Sequence, residues 1–361
     1  MQEFIAYHVA DTIDRLISLD IKAQGVIPTL YQAAREIIGE PLVLNAARGL
    51  LRKAKPGARV LLCTGFVCPP GQVGETDGPV GAVVLARALE VALKIHPVIV
   101  CEEEIMQPVV EMCSAAGLNP YTDISAISNL DHSVAVVSFT KEDALARNEA
   151  VKLVDFFQPI AAISIERPGK NSKGVYHMGG GTDVSVFASK IDILFEDTKG
   201  DYFTIGIGDL GNELGLGALK KVVRNSVMYG SECQCPCKGG IAADTEADAL
   251  IIASVSDWGA YGLAAEVAFL TKQLSAFHTS DLERTLLRVG AQNGLIDGPT
   301  GYRVPWIDGI NEDIHANLVG LLRGIIEGGS TFPERAQKMY EFYSQHMPTK
   351  KDGAAQYARE E

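Results

Sequence analysis

The stretch YFTIGIGDLGNELGLG, Tyr202–Gly217, decides the reading of the fold. Tyr202 to Ile207 is a short, mostly apolar run of the kind found in strands buried on both faces. The chain then enters a loop so rich in glycine that Thr204 to Gly217 holds five of them, together with Asp209, Asn212 and Glu213. Glycine loses much conformational freedom when ordered, so this density fits backbone that takes positive φ or passes hard against another group. A ligand is the natural candidate for that group.

Five other runs share the strand character: Arg59 to Thr64 (RVLLCT), Pro97 to Cys101 (PVIVC), Ser133 to Phe139 (SVAVVSF), Pro159 to Ile165 (PIAAISI) and Ala249 to Val255 (ALIIASV). Amphipathic helical segments lie between them, among them Val80 to Lys94, Glu104 to Gly117 and Lys141 to Phe157. The alternation predicts an α/β fold with a doubly wound, mainly parallel sheet and helices on both faces. Three helical segments, Phe4 to Leu19, Pro28 to Ile38 and Pro41 to Lys53, precede it as a short N-terminal lead. The expected organisation is a helical lead over 1–55 packed on an α/β domain over 56–346, with a polar, disordered tail over 347–361.

The 361 residues are 47% apolar and carry a net charge of −13, with no local Lys/Arg cluster to reverse it. That charge repels nucleic acid and anionic lipid, leaving a small molecule as the expected partner and a homo-oligomer compatible with the composition. No stretch has the eighteen or so apolar residues of a membrane span, and the acidic N-terminus lacks a basic region followed by an apolar one. Seven scattered cysteines do not form a secreted disulfide framework, so a cytoplasmic location is expected.

In a wound sheet, ligands sit beyond the carboxyl ends of the strands. The loops there carry Glu75 and Asp77 in ETDGP, then Glu166 and Arg167 ahead of the run Gly179, Gly180, Gly181, Thr182, then Asp209, Asn212 and Glu213, and finally Asp257 and Trp258. Each has a plain structural reading too. ETDGP suits a turn and helix cap, Trp258 a core position, and His315 a solvated helix face. The glycine run reads either as a flexible loop or as backbone amides at a helix N-terminus, able to hold a carboxylate.

Gly206, Gly208 and Gly211 match GxGxxG literally, which keeps a dinucleotide-binding oxidoreductase in view. Against it, Asp209 stands where a pyrophosphate would approach, and no acid-ended strand follows at the spacing a ribose contact needs. Asp209 and Glu213, four apart, would share a face if a helix started there and could ligate a hard cation such as Mg²⁺. Cys233, Cys235 and Cys237 form C-x-C-x-C, without the spacing or second cluster of zinc knuckles.

Together, ETDGP (75–79), IERPG with G-x-Y (165–176), GIGDLGNELGLG (206–217), VSDWGAYGLA (255–264) and Asp308-Gly309 followed by His315 resemble the D-glutamate cyclase family, from about Arg59 to Leu322. Leu210, Asp257 and His177 depart from its pattern, and the CQCPC segment looks like an insertion. The resemblance implies a hydro-lyase that converts D-glutamate to 5-oxo-D-proline with loss of water. On that reading Asp209, Asn212 and Glu213 bind the amine or a divalent metal, and Glu75, Asp77, Glu166, Asp209 and Glu213 serve catalysis. Arg167 and the amides of Gly179 to Thr182 hold the α-carboxylate, with Asp257 and Trp258 also at the substrate. No definite cofactor is implied, and Mg²⁺ or another divalent cation suits the acids. The alternatives are an NAD-dependent oxidoreductase and a non-catalytic amino-acid or metal-binding protein.

Overall fold

The computed structural model describes residues 2–123, 131–196 and 199–346, so the tail expected over 347–361 lies outside the described residues. Three helices lead: α1 (Gln2–Ile17), α2 (Val26–Ile38) and α3 (Leu42–Lys53). After β1 (Arg59–Thr64) come a small hairpin of β2 (Val67–Cys68) with β3 (Val73–Gly74), then α4 (Pro79–Leu93), β4 (His96–Cys101) and α5 (Glu103–Ala115). The chain continues through β5 (Asn119–Tyr121), β6 (Ser133–Ser138), α6 (Asp143–Phe157), β7 (Ala161–Ile165), β8 (Phe203–Gly208), α7 (Lys220–Ser226) and β9 (Ala249–Ile252). It ends with α8 (Ser256–Leu270), α9 (Ser280–Gln292), a second hairpin of β10 (Trp306–Ile307) with β11 (Ile310–Asn311), and α10 (Glu312–His346).

Seven strands form one sheet in the order β5-β6-β4-β1-β7-β8-β9, and every neighbouring pair is parallel. The doubly wound α/β architecture therefore holds, and side-chain alternation explains it. Leu61, Cys63, Val98, Val100 and Ala162 point to the face covered by α6. Val60, Leu62, Ile99, Ile163 and Ile165 point to the other face, beneath the main helical layer. Apolar residues on both sides of a strand require helices on both sides of the sheet. Sequence patterning misses the three-residue edge strand β5 and runs the last strand to Val255, where the chain has already left the sheet.

The helix α8 is wedged between sheet and lead. Its residues Ser256 to Ala268 are all buried, so it has no polar face, as expected of a helix enclosed by protein. A Cβ at Gly262 would stand 2.8 Å from Ile17 of α1, so glycine permits the lead to press close. Helix starts leave backbone N–H groups without intrahelical partners. Buried Asp14 of α1 accepts from Leu42 N at 2.6 Å and Val43 N at 3.1 Å, closing the start of α3, while burial pushes its carboxyl up to about 7. Glu266, deep in α8, has no hydrogen-bond partner at either carboxylate oxygen, and burial raises it to about 8. No helix among the described residues is long and apolar enough to cross a membrane.

Candidate functional site

The winding reverses at β1, which has β4 on one side and β7 on the other. Loops leaving the carboxyl ends of β1 and β7 therefore part in opposite directions and open a crevice. A cavity of about 400 Å³ occupies it, within the range of small-molecule sites. Glu75 after β1, Glu166 after β7 and Asp209 with Asn212 after β8 line it, joined by Lys22 and Asp308.

Glu166 sits at φ +42° and Asp308 at φ +56°, backbone that L side chains rarely adopt. Strain of this kind persists where surrounding structure overrides it, and such places cluster at functional sites. Glu166 Oε2 accepts a short hydrogen bond from Ser256 Oγ at the start of α8. Burial, then Asp209 and Glu213, push its carboxyl well above the usual range. Glu75 is raised by burial and then by Asp308 and Asp209. Asp209 is raised to about 6 by burial, against the pull of Lys22. Crowding acids in low dielectric holds protons on some of them near neutral pH.

Lys22 is the cation of this cavity among the described residues. It comes from the turn between α1 and α2 and donates at 2.7 Å to Asp209 and at 2.7 Å to Asp308. The two aspartates raise its pKa far enough to keep it charged. Nothing in the sequence marks it, since a lone lysine in IKAQG reads as a surface turn.

Glu213 acts differently from expectation. No helix starts at Asp209, and the chain curls so that the Glu213 carboxylate accepts from Asp209 N at 3.2 Å, Leu210 N at 2.9 Å and Gly211 N at 2.7 Å. The shared helical face is thus absent, yet carboxylate oxygens of Glu166, Asp209 and Glu213 lie within 4.8 Å of one another. Three hard oxygen donors at that separation fit a hard divalent cation, with water completing the shell.

The same loop removes the dinucleotide reading. A Cβ at Gly208 would stand 2.5 Å from Glu213 Oε2, and one at Gly206 would stand 2.9 Å from the backbone of Gly215. These glycines let the loop fold on itself, and α7 begins only at Lys220, too late to offer its N-terminus to a pyrophosphate.

Several predicted residues are placed elsewhere. Asp77 Oδ1 accepts from Asp257 N at 2.8 Å and its Oδ2 from Ser256 N at 3.1 Å, closing the start of α8. Asp257 Oδ1 accepts from Gly78 N at 2.8 Å and Gly81 N at 2.7 Å, closing the start of α4. Each aspartate caps the helix that follows the other. Asp77 is thus a capping residue, though of α8 and not of the helix that follows ETDGP, and neither residue lines the cavity. Arg167 is wholly buried, pairs with Glu102 and donates to Gly65 O at 2.8 Å and Ser189 O at 2.7 Å, so its guanidinium faces the sheet's interior and not a ligand. Gly180, Gly181 and Thr182 form a tight turn with Gly181 N bonded to Met178 O at 2.9 Å and Met178 N to Thr182 O at 3.0 Å. No helix follows them, and only Gly179 of the run reaches the cavity. Trp258 is a core residue whose Nε1 donates to His315 Nδ1 at 2.9 Å, and His315 is itself buried.

Against known proteins, residues 13–323 match the family described as D-glutamate cyclase-like, C-terminal. The chain belongs to that family. It is 33% identical over 267 residues, 72% of its length, to a human protein named D-glutamate cyclase, mitochondrial. It spans 38% of the length of that relative. The family match begins inside α1, well before Arg59, so it takes in Lys22 and most of the lead. Asp308, quoted within a family motif but given no role, is the other residue that sequence reasoning left out.

Proposed function

We propose that the chain cyclises D-glutamate to 5-oxo-D-proline with release of water, as a carbon–oxygen hydro-lyase. The observation that carries this reading is the convergence of Glu75, Glu166, Asp209 and Asp308 on one cavity with a lysine among them, in a member of this family. Family membership alone does not specify the reaction.

Attack of the α-amine on the γ-carboxylate forms the C–N bond of a five-membered ring and breaks a C–O bond. The ammonium gives up two protons and the leaving oxygen gains two, so the protein must move protons without keeping any. Asp209, raised to about 6 by burial, has both its forms populated near neutral pH and suits this relay. Holding the folded conformer adds the proximity advantage, up to roughly 7 to 11 kcal/mol in favourable cases. Asp209 and Glu75 would receive the ammonium, Glu166 would pass a proton to the departing oxygen, and Lys22 would meet a substrate carboxylate in the role first assigned to Arg167. Where Glu166, Asp209 and Glu213 instead hold a hard divalent cation, that ion would neutralise the γ-carboxylate, and Glu75 would be left to receive the ammonium.

The test is incubation of the purified full chain with D- and with L-glutamate, with and without divalent metal, following 5-oxoproline by chiral chromatography. Formation of the D product above the uncatalysed rate is expected. No product from either enantiomer in any metal condition, by a folded protein, ends the proposal.

A further inference from the structure

Behind the cavity wall lies a second cluster of quite different chemistry. His177 Nε2 is 3.3 Å from Cys235 Sγ and 3.7 Å from Cys237 Sγ, while Cys233 Sγ is 3.5 Å from Cys235 Sγ and 3.3 Å from Cys237 Sγ. All four atoms lie within 4.8 Å of one another. None of these cysteines is in a disulfide. Thiolate and imidazole ligands around zinc, at about 2.3 Å for sulfur and about 2.0 Å for nitrogen, form a tetrahedron with edges of roughly 3.5 to 3.8 Å. The four measured edges lie close to that range.

We propose that His177, Cys233, Cys235 and Cys237 hold one zinc ion in a closed, structural Cys₃His site. Its fourth ligand stands 56 residues upstream of the first cysteine, so the C-x-C-x-C spacing alone shows no complete donor set. The surroundings complete it. Gly239 N–H donates to Cys237 Sγ at 3.3 Å and Asn171 Nδ2 at 3.6 Å, contacts that stabilise a thiolate. Three thiolates, a neutral imidazole and Zn²⁺ leave one negative charge. Lys173 and Lys238, bonded to the carbonyls of Cys237 and Cys233 at 3.0 and 3.5 Å, bring compensating positive charge. Soft sulfur donors select zinc over magnesium, and the hard oxygens of the cavity prefer the reverse, so the two clusters would take different ions.

The ion would fasten the loop around Gln234 to the turn at Gly180. Gln234 already donates its backbone N–H to Gly181 O at 3.0 Å and its Nε2 to Gly180 O at 2.7 Å. His177 directly precedes Met178 and Gly179, which line the cavity, and its carbonyl accepts from Asn212 Nδ2 at 3.1 Å. Zinc here would thus set the position of one cavity wall without touching a substrate.

Metal content decides the matter independently of any cyclase activity. The full chain, expressed with zinc in the medium and dialysed against EDTA to strip weakly held ions, is weighed by native and by denaturing, non-reducing mass spectrometry. One zinc per chain is expected in the native state, with all seven thiols reduced after denaturation. Cobalt reconstitution should give a thiolate-to-metal charge-transfer band that is lost in Cys235→Ser and retained in Asp209→Asn. Wild-type protein that neither carries nor takes up zinc, a mass two hydrogens light from a disulfide, or full zinc retention in Cys235→Ser and in His177→Ala would each overturn the proposal.

Discussion

Asp77 and Asp257 differ from Asp209 and Glu166 in what their oxygens meet, although all four are buried acids beyond strand ends. The first pair spends its carboxylates on backbone N–H groups at the starts of α8 and α4. The second pair faces a cavity beside a lysine and a serine hydroxyl. Burial raises the pKa of all four, so a shifted pKa does not tell a cap from a proton carrier. Hydrogen-bond partners do, and Glu266 shows the limiting case with no partner at all.

This contrast can be broken by substitution. Asp209→Asn should keep the fold and lower the turnover of D-glutamate by on the order of 10³-fold, about 4 kcal/mol, measured as initial rate of 5-oxoproline formation. Unchanged turnover would move Asp209 into the structural class. Next in size is the pH effect of Glu266. Its folded pKa of about 8 lies above the ordinary 4.5, so its contribution to stability is full below pH 4.5 and is lost as pH rises through 8. Between pH 4.5 and 7 the loss is about 3 kcal/mol, and Glu266→Gln should remove that share of the slope in denaturant titrations at several pH values.

Asp257→Ala should cost about 2 kcal/mol of stability, seen as a lower Tm, with turnover of the folded fraction largely kept. A large rate loss at unchanged Tm would instead place Asp257 with the cavity acids. The smallest expected effect is the pH shift caused by Lys22→Met, read on the profile after scaling out the rate lost with the carboxylate contact. Removing the cation that pulls the Asp209 pKa down should carry the acidic limb of the pH–rate profile to higher pH, and an unmoved limb would show that Asp209 titration does not govern it.

The sheet was readable in the sequence because its strands are buried on both faces, so RVLLCT, PIAAISI and the run into Gly208 stand out from the helical periodicity. The cavity acids were readable in part, since glycine-dense loops after strands point to the right rim. Direction was not. Arg167 and Glu166 are adjacent, and their side chains diverge, one to the Glu102 pair inside the fold and one to the cavity. Lys22 was hidden because its partner Asp209 is 187 residues away, and no local pattern encodes a contact of that length. His177 joins the cysteines for a similar reason, through a turn whose geometry GVYHMGGG does not display.

Lys22 gives the cavity a resident ammonium of its own. On the proposed reaction, a glutamate ammonium would take the seat of the Lys22 ammonium, freeing the lysine to meet the carboxylates that the substrate brings with it. Lactam formation, on that proposal, would then erase the positive charge of the guest. With the host's amine free to return to Asp209 and Asp308, ring closure would itself help eject what it makes.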